Sequence, residues 1–269
     1  MSPDRKRRLR RIALVAAVSV VGLGAFYQFQ PVRFDLFPKQ PPPFAPIQAS
    51  EIDLFRPGIK IAVVVAHPDD SEFYVAGTLL QLKRAGARID QLLHTNGDKE
   101  FYFWEDTSGL AAVRKREQAD ASSAYGVSEL IFMGERDGRL SATQEVIDKT
   151  AAQLKKWNPD VIFCFDPEYP PRRSHQDHRT SGEIAVEAAR QNQFNGWLLM
   201  FSSRGSNYGV EIDPDWSEKR RLVGLHKSQF AEKMEFIEGL ISRRDLGDGA
   251  RFGLKRAEAF RAVRLVGKK

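Results

Sequence analysis

The chain has 269 residues and a formal net charge of +6, with a pI near 9.4. This length is enough for one α/β domain with a sizeable core, plus appendages. The basic excess would suggest a nucleic-acid-binding protein, but residues 1–11 alone hold six basic side chains against one acid. The rest of the chain is nearly balanced in charge, so we expect no nucleic-acid partner.

An uncharged apolar segment follows this basic flank. Residues 12–29 contain no charged side chain, and the preceding basic residues predict a cytoplasmic N-terminus with the rest of the chain outside the cytoplasm. A cleaved signal peptide followed by secretion is the alternative, and a buried core helix is a third. We favour an uncleaved, single-pass membrane anchor, because the bulky sequence at 28–31 offers no small-x-small cleavage site.

A proline-rich segment separates the anchor from the folded domain. Residues 30–55 include three consecutive prolines at 41–43, which predicts a semi-rigid polyproline linker. The domain then spans 56–269. Its single cysteine, Cys164, lies in an apolar run and is predicted to be a small buried hydrophobic residue.

Strands and helices alternate along this domain. Apolar, β-branched runs predict strands at 59–66, 88–95, 129–133 and 161–165. Helical periodicity predicts helices at 75–85, 110–125 and 143–157. This order predicts an α/β fold with a Rossmann-like, doubly wound, mostly parallel sheet and helices on both faces, preceded by one membrane helix.

Two carboxylates and an imidazole follow the first predicted strand. His67, Asp69 and Asp70 lie on the turn into the next helix, and Pro68 stiffens that turn. Open α/β sheets bind ligands outside the carboxyl ends of their strands, and histidine with aspartate suits a metal ion. The alternative is a structural turn in which Asp69 or Asp70 caps the helix.

A second cluster follows the strand at 161–165. His175 and His178 are three residues apart at a predicted helix start, so one can bind a metal while the other faces the substrate. Asp177 can hold an imidazole in one tautomer. A solvated helix start is the alternative. Because adjacent strand ends meet in one crevice, the two clusters predict a shared site although they are about a hundred residues apart.

Together these motifs resemble the PIG-L (LmbE-like) family of zinc-dependent de-N-acetylases. The resemblance covers roughly residues 60–265. Its motifs are Ala-His-Pro-Asp-Asp at 66–70, Gly-Thr-Leu at 77–79, Thr-x-Gly at 95–97, Arg114 with Glu117, His-x-Asp-His at 175–178, and His-x-Ser-Gln at 226–229.

The resemblance implies a metal site with one Zn²⁺ per chain, or another divalent metal. Its ligands would be His67, Asp70 and His178, with a position left for water. Zinc lowers the pKa of bound water to about 7 and polarises an acetyl carbonyl.

The resemblance also implies the catalytic groups. Asp69 would be the general base, because a carboxylate within hydrogen-bond reach can take the proton of water. His175 would stabilise the oxyanion and protonate the leaving amine, and Asp177 would orient it.

Candidate substrate-binding residues lie at positions where the sequence differs from the family pattern and in a loop rich in aromatic residues. Arg173 stands where some relatives have an active-site tyrosine, and Tyr169 lies four residues earlier. Trp104, in the aromatic loop 101–104, either stacks on a sugar face or packs the loop. Arg114 either contacts a sugar hydroxyl or forms an ion pair. His94, within a strand, is predicted to be a core histidine.

The expected function is hydrolysis of the N-acetyl amide of an N-acetylglucosamine-type sugar or glycoconjugate by a membrane-anchored zinc enzyme facing outward. One alternative is an amidohydrolase that acts on another N-acyl or amide conjugate with the same zinc machinery. Another is a membrane-tethered carbohydrate-binding protein without turnover, although the intact base, acid and ligands argue against it. Serine-hydrolase, zincin and P-loop motifs are absent from the sequence.

Overall fold

The computed structural model describes residues 51–99, 109–169 and 175–265. The basic flank, the predicted anchor at 12–29 and most of the linker lie outside these ranges and stay predictions. Within them, no helix combines the length and apolarity needed to cross a membrane. All elements below belong to one compact unit, whereas His175 is assigned to a second unit of which it is the only described residue.

The described strands form one mixed sheet with helices on both faces. Its order is β3-β2-β1-β4-β5-β7-β6. The strands are β1 (Lys60–Val65), β2 (Arg88–Thr95), β3 (Val127–Glu135), β4 (Val161–Phe165), β5 (Trp197–Phe201), β6 (Tyr208–Glu211) and β7 (Ala257–Arg264). The α-helices are α1 (Asp70–Arg84), α2 (Leu110–Ala124), α3 (Gln144–Trp157), α4 (Gln176–Gln191), α5 (Trp216–Val223), α6 (Lys227–Phe230) and α7 (Met234–Phe252).

Strands β1 to β5 pair in parallel, and β7 runs antiparallel to both β5 and β6. Alternate residues of β1 enter two cores. One core contains side chains of α1, and the other contains side chains of α3 and α4. A strand covered on both faces reads as a continuous apolar run, which explains why β1 was recognisable in the sequence. The predicted α/β class is confirmed.

Helix α1 differs from its prediction, because it begins at Asp70 rather than near residue 75. The first turn carries Asp70 and Glu72, whose negative charges suit the positive end of the helix dipole. These residues are polar although buried, so apolar periodicity could not include them. The turn between β1 and α1 is therefore shorter than the sequence suggested.

Two predicted core residues lie where they were expected. The ring nitrogens of His94 lie 3.0 Å from Ser181 Oγ and 3.2 Å from Thr150 Oγ1, and the residue is fully buried. Burial lowers the pKa of His94 to about 3, so the ring is neutral. Cys164 is also fully buried, on β4. Both predictions are confirmed.

A buried charge cluster connects the middle of α1 to β7. The backbone N–H groups of Gly77 and Thr78 donate to the two carboxylate oxygens of Glu258, at 2.9 and 2.8 Å. Lys219 lies 2.8 Å from this carboxylate and 2.9 Å from that of Asp245, and all three charged side chains are fully buried. Because buried charges need partners and hydrogen bonds, the cluster holds α1 in a fixed position on the sheet.

The close packing at Gly77 gives a stability prediction. A Cβ atom there would lie 2.6 Å from Ile212 Cγ2, in a fully buried position. We expect Gly77→Ala to lower the free energy of unfolding by about 1–3 kcal/mol through overpacking, as measured by urea denaturation. Gly239→Ala in α7 is the matched control: no described atom lies within 4 Å of its Cβ position. There the helix propensity of alanine predicts a gain of up to about 1 kcal/mol. Equal effects would contradict the packing explanation.

Candidate metal and catalytic site

The turn between β1 and α1 is closed by one carboxylate. Asp70 Oδ2 accepts the backbone N–H groups of Ala66 and His67, at 3.1 and 2.7 Å. Its other oxygen, Oδ1, lies 3.1 Å from His178 Nε2. Although burial favours the neutral acid, the charge and hydrogen bonds of His178 and His67 outweigh it, and the pKa of Asp70 lies well below its usual range.

The two histidine-aspartate clusters meet in space. The ring centroids of His67 and His178 are 5.2 Å apart, and His67 Nδ1 lies 3.5 Å from Asp70 Oδ2. Phe165, the last residue of β4, stacks on the His178 ring with centroids 4.0 Å apart and planes 9° apart. This stacking orients the imidazole. The structure therefore brings together the three predicted ligands, His67, Asp70 and His178.

Asp137 belongs to the same cluster and was missed by sequence reasoning. It lies just after β3, and its Oδ1 is 3.1 Å from His67 Nε2, while Asp177 Oδ2 is 3.3 Å from the same nitrogen. The ligand atoms of His67, Asp137 and Asp177 all lie within 4.8 Å of one another, a spacing that could hold a metal ion. The available signal was a carboxylate directly after a third parallel strand, at the same edge of the sheet.

Asp69 has an unusual backbone conformation. It occupies the N-cap position of α1 with φ 90° and ψ −23°, in the left-handed region, and its side chain makes no capping hydrogen bond. Its carboxylate Oδ2 instead accepts from Arg114 Nη2 at 3.0 Å. Burial raises the pKa of Asp69 to about 6, while the charge of Arg114 opposes that shift. A carboxylate with a pKa near the operating pH suits general base catalysis.

Arg114 binds the turn between β1 and α1 directly. It is 4% exposed, and its Nη2 also donates to the carbonyl of Pro68 at 2.7 Å, while Nη1 donates to the carbonyl of Gly97 at 3.2 Å. Glu117, the other member of this helical motif, accepts from the backbone N–H and the hydroxyl of Ser228, at 2.8 and 2.6 Å. Arg114 thus forms a buried ion pair with Asp69, and Glu117 connects α2 to α6.

For the remaining predicted site residues the structure gives at most a location and no test of the predicted role. Asp177 is fully buried in α4, where its Oδ2 accepts the Gly138 N–H at 2.5 Å. Tyr169 is half-buried in the turn after β4, and burial raises its pKa. His175 is half-buried and directly precedes α4. Trp104 lies outside the described residues. The roles predicted for these four residues stay predictions.

A fully buried polar network lies behind the turn. His226 Nε2 is 2.9 Å from Glu72 Oε2, and Glu72 Oε1 accepts from the hydroxyl of Tyr125 and from Gln118 Nε2. Burial opposes both charges, but their mutual attraction is stronger, so the pKa of His226 is raised and that of Glu72 is lowered. His226 therefore has a structural role.

Comparisons with known proteins agree with this geometry. Residues 62–189 match the family described as PIG-L, GlcNAc-PI de-N-acetylase. A relative from Bacillus anthracis, described as probable N-acetyl-alpha-D-glucosaminyl L-malate deacetylase 2, is 27% identical over 193 residues, which are 65% of this chain and 83% of that protein. The N,N'-diacetylchitobiose deacetylase of Pyrococcus horikoshii superposes with a TM-score of 0.73 and 26% identity, over 80% of this chain and 88% of that one.

A second similar structure shows that this fold does not determine the function. GalB, the 4-carboxy-2-hydroxymuconate hydratase of Pseudomonas putida, superposes with a TM-score of 0.66 and 15% identity, over 78% of this chain and 98% of that one. The same sheet thus carries a hydratase as well, so function must be argued from the site. The family match covers the two histidine motifs and the Asp69 turn, so residues 62–189 form a domain similar to that of the PIG-L de-N-acetylases, which are hydrolases of amide bonds.

Proposed function

We propose that this protein removes the acetyl group from an N-acetylglucosamine-type sugar or glycoconjugate by zinc-dependent hydrolysis. The observation that carries the proposal is the convergence of His67, Asp70 and His178 at the turn that also carries Asp69. The names of the Bacillus anthracis and Pyrococcus horikoshii relatives support an acetylated amino sugar as substrate. The group attached to this sugar differs between the names of those relatives.

The donor set fits a zinc ion. Two imidazole nitrogens and one carboxylate oxygen are ligands that zinc takes in catalytic sites, where a fourth position is left for water. Asp70 is ionised at neutral pH because its pKa is lowered, and His67 and His178 each offer one ring nitrogen. When bound, the ion would lower the pKa of a water molecule to about 7 and polarise the acetyl carbonyl. Another divalent metal is the alternative occupant.

Two side chains of the protein would accept and donate the protons of the reaction. Asp69, held by Arg114, would take a proton from the attacking water as the new C–O bond forms. His175 would stabilise the developing oxyanion and deliver a proton to the amine nitrogen as the C–N bond breaks, which releases acetate and a free amine. Asp177 would orient that imidazole.

We also propose that residues 12–29 anchor the protein in a membrane with the catalytic domain outside the cytoplasm, as the basic flank and apolar run suggest. Secretion after cleavage of this segment is the alternative. In either case the catalytic domain would meet glycoconjugates outside the cytoplasm.

The test of the function is amine release by the full chain from a panel of N-acetylated sugars and lipid-linked glycans, with and without a chelator. We expect free amine from N-acetylglucosamine-type compounds, loss of release with chelator, and recovery when zinc is added. Release from other N-acyl conjugates alone would favour the broader amidohydrolase. Glycan binding without amine release would favour a carbohydrate-binding protein, and release unaffected by chelator would contradict metal dependence.

A further inference from the structure

The left-handed backbone of Asp69 is contacted by a fully buried side chain from α2. Gln118 Oε1 accepts the Asp69 N–H at 2.9 Å, and Gln118 is 0% exposed. A residue with a Cβ atom is strained at positive φ, so the surrounding structure must impose this conformation. The Gln118 contact is one such restraint, because it fixes the peptide that precedes the Asp69 side chain.

The orientation of the Gln118 amide is set by its other partners. Its Nε2 donates to Glu72 Oε1 at 3.1 Å and to Ser122 Oγ at 3.0 Å. The Ser122 hydroxyl gives its own proton to Gln91 Oε1 at 2.6 Å, so it is an acceptor for Gln118. The Glu72 carboxylate can only accept hydrogen bonds, and the Ser122 hydroxyl, which already donates to Gln91, accepts as well. The NH₂ group of the Gln118 amide must therefore face these two oxygens. The carbonyl end is thereby turned towards Asp69.

Helix α2 therefore contacts Asp69 at two different atoms. Arg114 and Gln118 are four residues apart and lie on the same face of α2. Arg114 binds the Asp69 carboxylate, whereas Gln118 binds its backbone N–H. The two contacts together define both the position of the Cα atom and the direction of the side chain.

We infer that Gln118 is a positioning residue for the reaction: it fixes the peptide at Asp69 and thereby aims the carboxylate at the attacking water, without touching the substrate. The inference rests on the proposed function, in which Asp69 is the general base. It extends that function to a residue outside the histidine and aspartate motifs, reached through the network that links His226, Glu72 and Gln118.

The first experiment compares Gln118→Met with Gln91→Met in the full chain. Gln91 is also fully buried, and its Nε2 donates to Ser71 Oγ at 2.6 Å in the same network. Among the described residues it makes no bond to Asp69, and when it is replaced the Glu72 carboxylate still receives the Gln118 NH₂ group and keeps the amide in its orientation. We expect both variants to lose thermal stability and to keep the metal content of the wild type. Only Gln118→Met should lose kcat, by about 10- to 100-fold with KM unchanged, because a catalytic group displaced by about 1 Å costs up to 10²-fold.

A double-mutant cycle with Asp69→Asn separates positioning from general destabilisation. If Gln118 acts through the Asp69 carboxylate, Gln118→Met should add no further loss of single-turnover rate in the Asp69→Asn background. Equal losses in both backgrounds, or equal kcat for Gln118→Met and Gln91→Met, would overturn the inference. If the methionine variants do not fold, Gln118→Asn and Gln91→Asn give the same comparison with a shorter amide.

The outcomes also separate this inference from the proposed function. A wild-type chain that releases no amine from any compound of the panel would overturn the proposed function and this inference with it. An active wild type, whose Gln118→Met variant keeps the kcat of Gln91→Met, would overturn the inference alone.

Discussion

Asp69→Asn is expected to lower kcat by about 10²–10⁴-fold, the scale on which removal of a general base acts. The substitution preserves the shape of the side chain, and its amide oxygen can still accept from Arg114, so the turn should keep its conformation. The carboxylate of the proposed general base is the only group removed. Steady-state kinetics on the best substrate of the panel measures the loss, and elemental analysis should show unchanged metal.

A buried aspartate outside the site controls for the loss of a carboxylate. Asp90 is 1% exposed and its two oxygens accept from Arg88 at 2.8 and 3.0 Å, so it too is a buried aspartate paired with an arginine, although Asp69 accepts from Arg114 through one oxygen only. Asp90→Asn should retain turnover. If Asp69→Asn turns over as fast as Asp90→Asn, the base has been misassigned and Asp137 becomes the next candidate.

His178→Ala should remove most of the bound metal. Loss of a partner that only supports a ligand costs about 10–100-fold in metal affinity, and loss of the ligand itself should cost more. The substitution would also remove the ring stacked on Phe165. Elemental analysis after dialysis measures the metal bound per chain, so the loss of metal is tested without any substrate.

Gln176→Ala is the control for this substitution, since Gln176 is exposed at the start of the same helix. It should bind metal as the wild type does. Undiminished metal in His178→Ala would take His178 out of the ligand set. It would favour the neighbouring group of His67, Asp137 and Asp177 as the metal site.

The central strands were predictable because burial on both faces leaves a continuous apolar run. The strands predicted at 88–95 and 161–165 coincide with β2 and β4. The helix predicted at 75–85 instead starts at Asp70, because its first turn is polar and buried. Periodicity detects where apolar residues repeat, and it does not detect buried carboxylates.

The convergence of the two histidine motifs was also predictable, since both follow parallel strands. Asp137 also follows a parallel strand, but an aspartate before a glycine is typical of an ordinary turn, and this second interpretation concealed it. Gln118 carried no sequence signal: its contact with Asp69 is a hydrogen bond to a residue on another element. Such a contact depends on how α2 packs against the turn, and local sequence does not encode that packing.

The antiparallel strand β7 limits how far the chain can be truncated from its C-terminus. The matched family region ends at residue 189, yet β7 supplies Arg261, which bonds Asp166 at the end of β4 at 2.6 and 2.8 Å, and Glu258, which binds α1. An expression fragment that stopped at residue 189 would expose the unpaired edge of β4 and strip both carboxylate contacts, inviting aggregation. Truncation libraries and split-protein designs for this enzyme should therefore keep the chain through residue 264.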